Sequence, residues 1–141
     1  MTGIATVHSD LRSAFRARLQ AINGLPSGRA WEGRSYAPQI GTPFIRESFR
    51  PISSTVRAVG IGGLIAHKMT GNLNLFFPAG KGTADVEQAA GLILAAFAPG
   101  TSLVYGPSSG VILQAERSPI LQEPDWISVP LTITVYAYTV T

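Results

Sequence analysis

The chain opens on a helical rhythm. Ile4, Val7, Leu11, Ala14, Phe15, Leu19 and Ile22 recur at steps of three and four, while Asp10, Arg12, Arg16 and Arg18 fall off that stripe. The spacing predicts an amphipathic helix over residues 3–22, closed by Gly24 and followed by Pro26. Arg16 and Arg18 in its last turns suit the helix dipole. The rhythm lapses in "GLPSGRAWEGRSYAPQIGTP", which reads as a loop with a short extended piece near Ala30–Glu32 and with Trp31 and Tyr36 as anchors into the core. The period then becomes two. In "PFIRESFRP", Phe44, Arg46, Ser48 and Arg50 point one way and Ile45, Glu47 and Phe49 the other, which predicts an edge strand bounded by prolines.

"STVRAVGIGGLIAHKMTGNLNLFFP" predicts a hairpin: Val56–Val59 rises, "GIGG" turns, and Leu64–Phe77 returns, with Gly71 marking a bulge or bend. "TADVEQAAGLILAAFAPG" predicts a second helix. Thr83 is its N-cap, Asp85 and Glu87 lie in its first turn, and Val86, Ala89 or Ala90, Ile93, Leu94 and Phe97 form its apolar stripe. "SLVYGPSSGVILQAERSP" predicts a second hairpin with "GPSSG" as its loop. In the closing "DWISVPLTITVYAYTV", Ile127, Val129, Leu131, Ile133, Val135 and Ala137 form an aliphatic face. The opposite face carries Trp126, Ser128, Thr132, Thr134, Tyr136 and Tyr138, hydroxyls and aromatics rather than charges. It reads either as a surface for a neighbouring subunit or ligand, or as a second core layer under one of the helices. The order α-β-β-β-α-β-β-β predicts a single α+β domain over residues 1–141: a mostly hairpin-connected antiparallel sheet of about five to six strands with two helices packed on it.

Composition narrows the function. Charged residues make up only 13% of the chain, about half the usual share of roughly 25%, and so few charges suit a surface largely covered by copies of itself. Residues 1–68 hold nine Lys/Arg against three Asp/Glu, a balance of +6, and residues 69–141 hold two against five, a balance of −3. That asymmetry fits scattered solvated positions, a nucleic-acid face, or two complementary faces of a self-assembling ring. The absence of cysteine excludes disulfides, thiol catalysis and iron–sulfur sites. No apolar run reaches the ~20 residues that span a membrane, and the first residues lack a basic start before an apolar block; the expectation is a soluble protein made in a cytoplasm.

The one stretch that invites chemistry is "FFPAGKGTADVEQAAGL", a lysine-bearing glycine turn between a strand and a helix. A phosphate loop needs Gly, four residues, then Gly-Lys-Ser/Thr. Here Gly82 follows Lys81, and Leu75 stands where the first glycine belongs, so the turn reads as a strand end, a bend and a capped helix. His8 and His67 have no carboxylate at metal-ligand spacing, and no Gly-x-Ser-x-Gly occurs. Phe44, Arg46 and Arg50 on one strand face are the nearest approach to a nucleic-acid signature, diluted by Glu47. No catalytic, metal or cofactor site is expected.

The order of segments resembles the phage tail terminator-like proteins of long-tailed phages and gene transfer particles. The resemblance rests on "RARLQAINGLP", "AWEG", "GTPFIRESFRP", a glycine-rich hairpin, "LNLFFPAGKGTADVEQAAGLILAAF", "GTSLVYG…GVILQAERSP" and "LQEPDWISVPLTITVYAY". It implies a non-enzymatic virion protein at the head–tail junction. Such a protein forms a hexameric ring, ends tube polymerisation, contacts the tail tube protein and the head connector, and passes DNA only as cargo through its channel. The glycine-bearing hairpin would serve as an arm gripping the tube. Expected contact residues are Arg46, Arg50, Arg57, Ile61, Lys68, Lys81, Tyr136 and Tyr138. Another neck protein, or a nucleic-acid- or small-ligand-binding α+β domain, is the competing expectation.

Overall fold

A computed structural model describes residues 4–60 and 62–140. The first helix, α1, runs Val7–Gln20, and its buried side chains, Val7, Leu11, Ala14, Phe15 and Leu19, are the predicted stripe without its two ends. Ile4 is exposed and Ile22 is only partly buried, because the helical pattern outruns the sheet it packs on. Three short or long strands follow: β1 Gly28–Ala30, β2 Phe44–Val56 and β3 Leu64–Pro78. Helix α2 spans Ala84–Ala96, and β4 Ser102–Tyr105, β5 Ser108–Arg117, β6 Leu121–Gln122 and β7 Trp126–Val140 complete the chain.

The strands form one sheet in the order β1-β2-β3-β7-β5-β4, with β6 paired to β7. The expected α+β architecture with two helices is present, but the sheet is mixed: β1 runs parallel to β2, with Ala30 opposite Arg46. The remaining pairs are antiparallel. The short first strand lies two residues earlier than expected, because the loop after it must return to begin β2 beside it. Two chain-distant strands, β3 and β7, make the centre of the sheet through fifteen paired positions from Leu64↔Val140 to Pro78↔Trp126.

Pro51 does not end its strand. The register slips between Pro51 and Ser53, leaving Ile52 as an extra residue, and β2 continues to Val56. A bulge on an open edge is where a strand tolerates a residue without an N–H. The rising half of the expected hairpin is therefore the end of β2, while Ala58 and Val59 lie in its turn. Gly71 is not a bulge. It is paired to Phe49 on one side and Ile133 on the other, and a Cβ there would stand 2.4 Å from Cζ of Phe15. The glycine is a seat for the ring. The second hairpin is tighter than expected: Tyr105 pairs with Ser108, so only Gly106 (φ 56) and Pro107 turn it. A glycine with φ > 0 at the first of two loop residues matches the twist of the strands. Thr83 occupies the N-cap of α2 but makes no side-chain cap bond.

Both helices cover one face of the sheet. Their buried side chains share a single cluster with Leu73, Leu75, Val129, Leu131, Ile133 and Val135, which all point to that side by alternation. Phe15 sits at its centre, 5.2 Å from the Phe49 ring and 5.0 Å from Phe97. Arg18 Nε donates to the Ala96 carbonyl and closes the end of α2. Among the described residues no helix is long and apolar enough to cross a membrane.

Candidate assembly surface

With both helices on one side, the other face of the sheet carries no helix. Register assembles it: Arg46 lies opposite Asn74, Arg50 opposite Thr70, and Lys68 opposite Tyr136. Tyr138 completes the row beside Ala66. Five of the eight expected contact residues thus share one face, although they come from three strands. Arg46 and Arg50 border a shallow groove with Ser48, Asn72, Asn74 and Pro130. Asn72 accepts a bond from the Thr132 hydroxyl, but its Nδ2, like Oδ1 of Asn74, is buried without a partner among the described residues. Arg46, Arg50 and Lys68 belong to none of the ion pairs among the described residues. The face is polar, net basic and unsaturated in hydrogen bonds.

One end of this face is closed. Phe44 stacks on Phe76 at 4.6 Å, Trp126 stands edge-on to both, and Tyr36 covers Phe44 at 5.2 Å. Arg46 extends over Phe44 and Phe76 at 5.9 Å. Tyr36 therefore anchors the long loop to the helix-free face, whereas Trp31 anchors it to the helix side, where the Arg16 guanidinium lies 5.3 Å over its ring. Arg16 also grips the fully buried Glu47 carboxylate through two bonds, 2.5 Å and 3.2 Å. Glu32 pairs with Arg12 and accepts the Phe49 amide; that amide first, and then Arg12, holds its carboxyl below the usual carboxylate range. Arg12 in turn donates to the Phe49 carbonyl. Side chains thus do for the β2 edge at Phe49 what a further strand would do.

The other three expected residues lie apart. Arg57 follows β2 at the tip of the β2–β3 hairpin, where Arg50 to Gly60 are all exposed. Ile61 lies outside the described residues. Lys81 is exposed in the turn after β3, at the opposite end of the sheet. The glycines of that turn, Gly80 (φ 86) and Gly82 (φ 80), permit the bend, and a Cβ on either would meet nothing within 4 Å.

The sequence suggests two solitary histidines, and the fold brings them together. His8 and His67 meet edge to face at 5.3 Å. His67 is buried, with Nδ1 2.7 Å from the Ser54 hydroxyl and Nε2 2.7 Å from that of Thr139. Neutral imidazole satisfies this bridge, with one ring nitrogen donating and the other accepting. Desolvation, then the neighbouring His8, lowers the His67 pKa. A depressed folded-state pKa means full stability above the unfolded value near 6.5 and a loss as pH falls through the folded one. Wild-type stability is thus expected to drop relative to His67→Gln between about pH 7 and pH 5 in parallel urea titrations. Equal pH slopes in the two proteins would contradict this. Among the described residues no three His, Asp or Glu converge on a metal-sized space.

The sheet is covered by helices on one face and has no helix on the other among the described residues. Residues 10–135 match the family described as phage tail terminator protein, and the chain belongs to that family. Membership places it among the structural proteins of phage tails. The fold agrees: a chain within "Virion of native gene transfer agent (GTA) particle" superposes with TM-score 0.65 at 16% identity, over 94% of this chain and 98% of that one. A second solved chain gives TM-score 0.72 at 21% identity over 94% of this chain and 96% of that one. No curated protein sequence is significantly similar.

Proposed function

We propose that this protein ends the tail tube. Copies of the chain, each acting as one domain over residues 1–141, close into a hexameric ring on the head-proximal end of the tube. The ring stops further addition of tube protein and presents the surface that the head connector meets. It acts as a structural part and not as an enzyme; DNA only passes through. The family match over residues 10–135 carries this reading. The helix-free basic face and the exposed hairpin support it, since a low-charge chain suits a surface covered by copies of itself. Arg46, Arg50, Lys68, Tyr136 and Tyr138 are assigned to subunit or tube contacts, with Arg57 and Lys81 at the two ends and Ile61, outside the described residues, assigned with them.

The test combines mass in solution with negative-stain imaging and a tube-extension assay. A ring of about six copies that halts extension of purified tubes is expected; a clean monomer at high concentration would sink the proposal. Deleting "GIGG" and its flanks should leave the far-ultraviolet spectrum of a folded protein while abolishing ring formation or tube capping, because Ala58, Val59 and Gly60 are exposed away from the helix-covered core.

A further inference from the structure

Unpaired charges and exposed apolar side chains stand at both ends of the sheet. At the hairpin end are Arg57 and Lys68, neither in an ion pair among the described residues, whereas Arg50, opposite Thr70, lies near the middle of β3. The same end exposes apolar side chains: Ile52 at 52%, Val56 at 58% and Val59 at 94%. At the opposite end, the β6–β7 corner carries exposed Glu123 and Asp125, also without ion pairs among the described residues, beside Leu121 at 51% exposure. Asp85 at the start of α2 adds a third free carboxylate near that end, and Lys81 offsets one of the three. The corner is held in shape: the Ala79 amide donates to the Asp125 carbonyl and the Glu123 amide to the Trp126 carbonyl.

The two ends cannot satisfy each other within one copy. Val56 is paired to Ile65 and Trp126 to Pro78, so they are separated by most of β3, about 40 Å at 3.3 Å per residue. Charges that far apart in water are screened over roughly 8 Å. An exposed strand end with apolar tips and unpaired cations is a costly free surface unless something covers it. The chain itself offers a matching surface in sign and in apolar content.

We infer that the hairpin end of one copy seats on the β6–β7 corner of its neighbour, with Arg57 facing Glu123 and Asp125 and with Val56 and Val59 against Leu121. This rests on the ring reading and deepens it, because it gives the arm a neighbouring copy as its occupant instead of the tube. Two different patches in contact make a heterologous interface, the kind that propagates from copy to copy and closes when the rotation permits.

Charge reversal tests it. Arg57→Glu, and separately Glu123→Lys with Asp125→Lys, should each raise the concentration needed for assembly by about tenfold or more, since like charges then face each other. All three residues are exposed, so thermal unfolding of each variant should match the parent and exclude misfolding as the cause. The chain carrying all three reversals should assemble again at close to the parent concentration. Two further results overturn the inference alone: assembly unchanged in the Arg57 variant or in the corner variant, or no recovery in the three-residue one. So does normal ring formation with loss of tube capping in the arm variant, which would give the arm to the tube. A parent protein that stays monomeric overturns the ring reading itself, and this inference with it.

Discussion

Replacing Arg16 by Met should cost about 3–5 kcal/mol of unfolding free energy, the range for removing one partner of a buried ion pair. The asymmetry of the pair sets the direction. Glu47 has a fully buried side chain, whereas Arg16 retains 24% exposure and the Trp31 face. Without Arg16, the carboxylate keeps its burial and loses both of its guanidinium bonds. Without the Glu47 charge, Arg16 can still turn to water. Glu47→Gln should therefore cost distinctly less, and Arg16→Met combined with Glu47→Leu should recover much of the loss, since no charge remains to be solvated. Urea unfolding followed by circular dichroism measures all three. Equal losses from Arg16→Met and Glu47→Gln would contradict the asymmetry. A loss of this size is a large share of the 5–15 kcal/mol that holds a typical domain together.

Gly71→Ala should cost about 2–3 kcal/mol, although the backbone there would accept any residue. Gly71 is not among the glycines with positive φ, so no conformational strain arises. Alanine even stiffens the unfolded chain, a gain of about 0.4–1 kcal/mol in the other direction. The cost comes from the new methyl, which would stand 2.4–3.0 Å from three atoms of the Phe15 ring. The ring cannot retreat, because Phe49 and Phe97 flank it and it is fully buried. Shortening the ring side chain should relieve the clash: in Phe15→Leu with Gly71→Ala, the losses should fall below their sum by 1 kcal/mol or more. Strict additivity would show that the glycine serves something other than the ring.

These two sites show how unevenly the fold was legible in the sequence. The periodicities of α1, α2 and β7 announced which side chains are buried, because burial on one side of a helix or strand leaves its period in the chain. The buried Glu47 was placed on the correct face by that alternation, yet nothing local named Arg16 as its partner. Gly71 stood out as unusual within a strand, but a glycine looks the same whether it bends a strand or receives a ring. Pro51 suggested a strand end; the bulge at Ile52 let the strand pass it, and a bulge depends on the partner strand. The basic and hydroxyl-rich positions of the candidate surface were also readable as single-strand alternations, which is why five of them fall on one face.

What the sequence determined by itself is the local part: two amphipathic helices, the alternating strands, the glycine turn at Lys81 that holds no phosphate motif, and the family likeness of their order. Each depends on residues near one another along the chain. Only the tertiary structure decided which layer stays open. The aliphatic and hydroxyl faces of β7 were equally able to receive a helix, until both helices docked on the aliphatic side and buried the larger apolar area there. That choice, with the pairing of β3 to β7 across a third to a half of the chain, joins Arg46, Arg50, Lys68, Tyr136 and Tyr138 into one surface. It also joins His8 to His67.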